Sequence, residues 1–123
     1  MTLIPSLRVV LPLSALAAFL LTSGCANTQD IKFTVQSNPL GAHVLYTAKG
    51  VGHGDWVYLG STPLDVNRQV SKRNLRNADA FVMRVVKEGY LDQTREWSGA
   101  ALQEAMEEKG RVFWNPRLVQ GNN

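Results

Sequence analysis

The sequence predicts a small, mainly β domain with one helix near its C-terminus, behind an apolar N-terminal segment. Apolar and polar residues alternate with a period of two in several stretches, and Pro and Gly separate those stretches. Only residues 98–109 follow the 3.6-residue period of an amphipathic helix. The chain has 123 residues, which suits a single domain.

The N-terminal segment is an apolar run with one basic residue ahead of it. Residues 4–21 contain Arg8 as their only charged residue, and Pro12 interrupts the run. The run is shorter than the roughly 20 residues that cross a bilayer as a helix. It has no polar face, which disfavours a buried core helix. The pattern is typical of an export signal, and we expect residues 1–24 to be removed from the mature protein.

The residues around Cys25 indicate which kind of export signal this is. Leu21-Thr22-Ser23-Gly24-Cys25 resembles the lipobox of bacterial lipoproteins, although Thr22 stands where Leu is commoner. The resemblance implies cleavage before Cys25 and lipid on its thiol, which would anchor the protein in a membrane. Ala26 stands where Asp would retain a lipoprotein in the inner membrane. The resemblance therefore implies that the protein is located in the cell envelope, at the outer membrane and facing the periplasm.

The composition argues against nucleic acid as a partner and against a disulfide as a source of stability. Without residues 1–24 the chain keeps 12 of its 13 basic residues and all 10 acidic ones, a formal net charge of about +2. That balance does not indicate a nucleic-acid binder. Cys25 is the only cysteine, so no disulfide can form within the domain and its core must be apolar packing.

Seven strands are predicted after a lipidated N-terminus and polar tether at residues 25–30. Ile31, Phe33 and Val35 share one face of the first strand. Residues 80–87 are apolar on both faces, which predicts a central strand. The fourth strand is expected to be irregular at Arg68, and residues 71–79 are expected to form an exposed loop or one helical turn. The strands are predicted at residues 31–36, 42–47, 56–59, 64–70, 80–87, 90–97 and 111–113.

The predicted helix has signals at both ends. Ser98 is a suitable N-cap, and Gly110 supplies the left-handed residue that commonly follows a helix. Leu102, Ala105 and Met106 form its apolar stripe. The folded domain is expected to cover residues 31–119, with a polar tail at 120–123.

Three blocks of the sequence carry a family resemblance. They are Val35-x-Ser-x-Pro39-x-Gly41-Ala42-x-Val44, then Gly60-Ser61-Thr62-Pro63, then Val85-x-Lys87-x-Gly89-Tyr90. In this order they resemble the signature blocks of the PEGA domain. The resemblance implies an all-β envelope module with no established catalytic residues. Combined with the strand pattern, it predicts a small antiparallel, β-sandwich-like domain to which the helix and final strand are added.

Two sets of residues are candidates for binding. Four cations occur within nine residues without an acid between them, at Arg68, Lys72, Arg73 and Arg76. They can meet anionic lipid, lipopolysaccharide phosphates or an acidic partner, or simply form a solvated loop. Trp56 and Trp97 are candidates for stacking on sugars or anchoring a partner, and core packing is the alternative for such rings.

Catalytic chemistry has little support. His43, His53 and Asp55 match no metal-ligand spacing, so solvent-exposed polar residues are the simpler interpretation. Asp92 and Glu96 share a strand face about 13 Å apart, too far for most acid–base pairs. We therefore predict no catalytic residues, no metal and no cofactor.

The sequence thus predicts a non-enzymatic binding or scaffolding module held at a membrane through Cys25. The alternative is a glycan- or peptidoglycan-binding accessory to an envelope enzyme. The expected partners are the membrane and an envelope protein or glycan, with no nucleic acid.

Overall fold

The structure is a computed structural model that describes residues 27–121. The predicted signal segment, Cys25 and residues 122–123 lie outside the described residues. Within the described part, no helix is long and apolar enough to cross a membrane.

The described chain forms seven strands and two short helices, which confirms the mainly β prediction. In chain order they are β1 (Thr28–Val35), β2 (His43–Lys49), β3 (Val57–Ser61), β4 (Leu64–Ser71), α1 (Lys72–Asn77), β5 (Ala80–Val86), β6 (Gln93–Trp97), α2 (Gly99–Lys109) and β7 (Val112–Trp114).

The strands form two sheets, with strand orders β4-β1-β7 and β3-β2-β5-β6. The stretch 80–87 was expected to be central, and β5 lies between β2 and β6. All pairs are antiparallel except β1 and β7, which run parallel with Phe33 opposite Val112. The antiparallel prediction is therefore wrong for that pair. The chain leaves the four-stranded sheet through α2 and enters the other sheet in the direction of β1, a crossover that period-two patterning does not reveal.

The two sheets pack face to face around one core. Ile31, Phe33 and Val35 of β1 are all at most 1% exposed, as their alternation predicted. The ring of Phe33 lies 5.7 Å from that of Tyr46 on β2, centroid to centroid. The opposing sheet contributes further fully buried side chains, namely Val44, Phe81, Met83 and Val85.

Regular structure extends beyond both predicted limits of the domain. β1 begins at Thr28, within the expected tether, because residues 28–30 pair through their backbones with residues 69–71 of β4. Such pairing needs no apolar side chain. At the other end, Gln120 bridges Tyr90, and the Gly121 amide donates to the Gly89 carbonyl at 3.0 Å. Part of the predicted polar tail therefore belongs to the fold.

Two helix predictions and one strand prediction can be compared directly with the structure. α2 begins after Ser98, whose Oγ accepts from the Ala101 amide at 3.0 Å, and ends at Gly110 with φ of 71°; both caps are confirmed. Residues 72–77 form α1, capped by Ser71. β4 stays in register through Arg68, opposite Ile31, so the expected irregularity is wrong.

The domain has two ends, which differ in composition. The N-terminal end contains the start of β1, the end of β4, α1 and the loop at residues 50–56. The distal end contains the turns at residues 36–42, 62–63 and 87–92 together with the C-terminal segment 115–121. This assignment follows from the strand directions and their registers.

The turns of the distal end are joined by a buried pair of hydroxyls. Ser37 Oγ lies 2.6 Å from Thr62 Oγ1, which also accepts from the amides of Gly41 and Ala42 at 3.0 Å. Ser37 and Thr62 are 5% and 4% exposed. Two turns that are 25 residues apart in sequence are thus held as one unit.

Candidate functional site

The outer surface of the four-stranded sheet carries the best-defined cluster of exposed aromatic and cationic side chains. Residues directly opposite one another on paired strands project from the same face. Tyr58 of β3, Leu45 of β2 and Arg84 of β5 are opposite one another in this way, and all point away from the core. Trp56 lies against Arg84 on the same side. We call this surface, defined by His43, Leu45, Trp56, Tyr58 and Arg84, the aromatic face.

The side chains of the aromatic face are held by contacts with one another. The Arg84 guanidinium carbon lies 4.5 Å from the Trp56 ring centroid, a cation–π contact. His43 Nδ1 and the Tyr58 hydroxyl are 2.9 Å apart, and that hydroxyl lies 3.1 Å from Ser61 Oγ. Trp56 and Tyr58 nevertheless remain 39% and 55% exposed. Rings that are already ordered lose less entropy when they bind a partner.

The aromatic face is cationic. Lys49 and Glu96 lie on the same side of the sheet and form an ion pair of 3.0 Å, so their charges compensate each other. Arg84 makes no ion pair with any residue between 27 and 121. The face therefore combines apolar rings with one uncompensated positive charge.

The four cations singled out in the sequence do not form one cluster. Arg68 is half-buried, and its guanidinium carbon lies 5.6 Å from the centroid of the Tyr46 ring in the core. Lys72, Arg73 and Arg76 are exposed on α1. At about 100° per residue these three occupy one arc of the helix about 100° wide. Arg68 therefore packs against the core, and the other three cations share one surface.

Tyr46 is the one described side chain whose pKa is strongly shifted. Burial raises its pKa from 10.0 to about 12, and the nearby positive charge of Arg68 opposes that shift. The phenol stays neutral at ordinary pH and contributes its ring to the core. The contact between Arg68 and Tyr46 is thus part of the packing.

Trp97 belongs to the core as well. It is 9% exposed, and its ring meets that of Trp114 edge to face, with centroids 6.1 Å apart. Arg95 covers the ring at 4.9 Å. Of the two predicted binding tryptophans, Trp56 lies on the aromatic face and Trp97 does not.

The residues considered for metal or acid–base chemistry are dispersed. His43 contacts Tyr58, whereas His53 and Asp55 lie exposed in the loop at residues 50–56. Between residues 27 and 121 no three His, Cys, Asp or Glu side chains are grouped so that they could hold a metal ion. Glu96 is engaged with Lys49 rather than with Asp92.

Sequence reasoning identified Trp56 but missed its neighbours on the aromatic face. The period-two pattern could have identified Arg84, because it places Arg84 on the opposite side of β5 from the buried Met83. The alignment of Tyr58 with Leu45 depends on an irregularity in the β2–β3 register between Val44 and Leu45. A shift of one residue changes which side chains share a face, and this one was not visible in the sequence.

Comparison with known proteins found no matching protein family, no matching curated protein and no matching solved structure.

Proposed function

We propose that this protein is a lipid-anchored, non-enzymatic module of the bacterial cell envelope that binds a partner protein through its aromatic face. The single observation that carries the binding role is the exposure of two ordered rings, Trp56 and Tyr58, on one cationic sheet face. Exposed aromatic and arginine side chains are typical anchors of protein interfaces. The partner that fits this face offers carboxylates beside apolar side chains, which complement Arg84 and the rings.

The lipid anchor is proposed from the lipobox-like residues that end at Cys25. An outer-membrane location facing the periplasm follows from Ala26. Both residues precede β1, which begins only three residues after Cys25. A domain that folds so close to its anchor would present its surfaces within a short distance of the membrane.

The proposed β-sandwich-like PEGA identity is supported by the positions of its three blocks. The turns of all three blocks lie at the distal end, and the first two are joined through Ser37 and Thr62. The third contacts the C-terminal segment through Tyr90 and Gly89. Residues that resemble a family signature here have a shared structural task, the closure of that end.

The anchor is tested by Cys25→Ser. We expect this variant to lose both membrane retention and incorporation of labelled fatty acid in growing cells. Ser61→Cys restores a thiol at an exposed position of the domain and serves as a control that should not restore acylation in the Cys25→Ser background. A Cys25→Ser protein that is still acylated would contradict the anchor.

Binding is tested by crosslinking in intact cells, followed by purification and mass spectrometry. We expect Trp56→Ala combined with Tyr58→Ala to lose a protein that the wild type captures. Leu91→Ala combined with Val119→Ala is the matched control, because these side chains are 53% and 55% exposed at the distal end. Equal capture by the aromatic-face variant and the wild type would contradict the proposal.

A glycan is the second candidate ligand, because exposed Trp and Tyr rings beside an arginine also suit sugar stacking. Sedimentation of the purified protein with peptidoglycan separates the two candidates. Retention that depends on Trp56 and Tyr58, without a captured protein, would favour the glycan.

A further inference from the structure

We propose that the N-terminal end of the domain docks on anionic phospholipid headgroups, with α1 against the bilayer and the distal end directed away from it. This orientation rests on the proposed lipid anchor at Cys25. Its basis is the position of three exposed cations beside the point where the chain enters the fold.

The start of the described chain is held against the start of α1. The Lys72 amide donates to the Asn27 carbonyl at 2.9 Å, and Thr28 pairs with Ser71. Cys25 precedes Asn27 by two residues, which span at most about 7 Å. Lipid attached to Cys25 would therefore enter the bilayer close to α1.

The exposed arc of α1 has the charge that an anionic bilayer attracts. Lys72, Arg73 and Arg76 share that arc, and α1 contains no acidic residue. None of these cations forms an ion pair within residues 27–121. They are free to meet lipid phosphates, and each basic residue near such a surface strengthens binding by about fivefold.

Three acidic residues lie at the same end, but none of them pairs with a cation of α1. The Asp79 carboxylate packs against Gly50, and Asp30 and Asp55 lie on β1 and on the loop at residues 50–56. None is within 4.0 Å of a cation of α1. The nearest compensated cation is Lys49, which pairs with Glu96 and so contributes little to the field.

The orientation also determines where the aromatic face lies. The strands of the four-stranded sheet run between the N-terminal and distal ends. With α1 on the membrane, these strands stand up from the bilayer and the aromatic face is turned sideways. A partner protein beside the domain, rather than the lipid, would then meet Tyr58 and the ring of Trp56, which lies against Arg84 of β5.

The test uses the mature, lipidated protein in vesicles of phosphatidylethanolamine and phosphatidylglycerol that contain a headgroup-quenching lipid. With Cys25 acylated, a thiol introduced by Asn77→Cys or by Leu91→Cys is the only one available for a fluorescent label. Asn77 is exposed on α1 and Leu91 is exposed at the distal end. We expect severalfold stronger quenching at Asn77 than at Leu91, and a smaller difference in vesicles made of phosphatidylcholine and the same quenching lipid.

Charge-reversal variants test whether the cations of α1 cause the quenching at Asn77. Lys72→Glu, Arg73→Glu and Arg76→Glu together should reduce quenching at Asn77 to the level found in phosphatidylcholine. Lys109→Glu, Arg111→Glu and Arg117→Glu change the net charge equally at exposed positions outside α1 and should leave the quenching unchanged. If the first triple variant does not fold, the wild-type protein in about 1 M salt must show the same loss of quenching. At that concentration the Debye length is about 3 Å, so the attraction between the cations and the lipid is screened.

Flotation with the vesicles separates this orientation from the anchor. Equal quenching at the two positions in a protein that floats would overturn the orientation and leave the anchor standing. An equal effect of the two triple variants would do the same. A wild-type protein that does not float would contradict the anchor and the orientation together.

Discussion

The two ends of the domain are built by different means. The distal end is closed by a buried hydroxyl pair, Ser37 and Thr62, and by a C-terminal segment that bonds to the turns at residues 36–42 and 87–92. The N-terminal end is closed by two helices in close contact and exposes three cations on α1 that form no ion pair with any residue from 27 to 121. The turns of the distal end are joined by buried hydrogen bonds, whereas the N-terminal end presents a group of basic side chains on α1. The comparison separates the residues that close the fold at one end from the cations that the proposed membrane docking uses at the other.

The largest effect is expected at the C-terminal segment of the distal end. Leu118 is 7% exposed in the core, and its amide donates to the Asn38 carbonyl at 2.8 Å. Leu118→Ala should lower the free energy of unfolding by about 2 to 5 kcal/mol, because it leaves a cavity. Denaturant unfolding measures this, with exposed Val119→Ala as the control. Equal effects of the two substitutions would show that the segment does not close that end.

The hydroxyl pair offers the next test. Thr62→Val keeps the shape of the side chain and removes the acceptor for two amides and the partner of Ser37. We expect a loss of about 2 to 3 kcal/mol, because buried polar groups are left without partners. Ser61→Ala, at an exposed neighbour, should change the stability by less than about 0.5 kcal/mol. A loss below about 1 kcal/mol in Thr62→Val would mean that the two turns are joined by other contacts.

Between the ends, Tyr46 should make stability depend on alkaline pH. Its folded pKa of about 12 lies above the ordinary value of 10.0, so the unfolded chain loses the phenolic proton first. Its contribution is fully present below about pH 10 and is lost as the pH rises through about 12, a change of roughly 3 kcal/mol. Denaturant unfolding across that range checks this. Tyr46→Phe should remove that part of the pH dependence. If the free energy of unfolding of the variant depends on pH in the same way, another group causes the dependence.

A further loss of stability is expected where the helices meet at the N-terminal end. A Cβ at Gly99 would lie 1.8 Å from the Leu75 carbonyl oxygen, so Gly99→Ala must move α1 and α2 apart. We expect a loss of about 1 to 3 kcal/mol. Ala100→Ser is the neighbouring exposed control. Thermal unfolding of both variants checks the contact, and a Gly99→Ala protein as stable as its control would show that the helices adjust without cost.

Local signals predicted most of the secondary structure. The alternation of Ile31, Phe33 and Val35 identified a buried strand face, and Ser98 with Gly110 identified both ends of a helix. These signals act within a few residues, where side-chain periodicity and capping chemistry decide the conformation.

Features that depend on distant pairing could not be predicted in the same way. The parallel pairing of β1 with β7 joins residues about 80 positions apart, and no local pattern specifies it. The aromatic face depends on the register irregularity beside Leu45, and the burial of Trp97 depends on Trp114 from another sheet. The cations of α1 were visible as charge, but their position beside Asn27 became evident only once β1 and β4 were paired.

The pairing of β1 with both β4 and β7 also affects the order in which the domain can be completed. β1 precedes the other strands of residues 27–121, yet one of its edges stays open until residues 112–114 are available. The last described bond, from Gly121 to Gly89, lies near the end of the chain. Contacts so distant in sequence slow folding, and they leave a growing chain without its final core until residues 112–121 have been synthesised. The proposed export of this chain across a membrane would benefit from that delay.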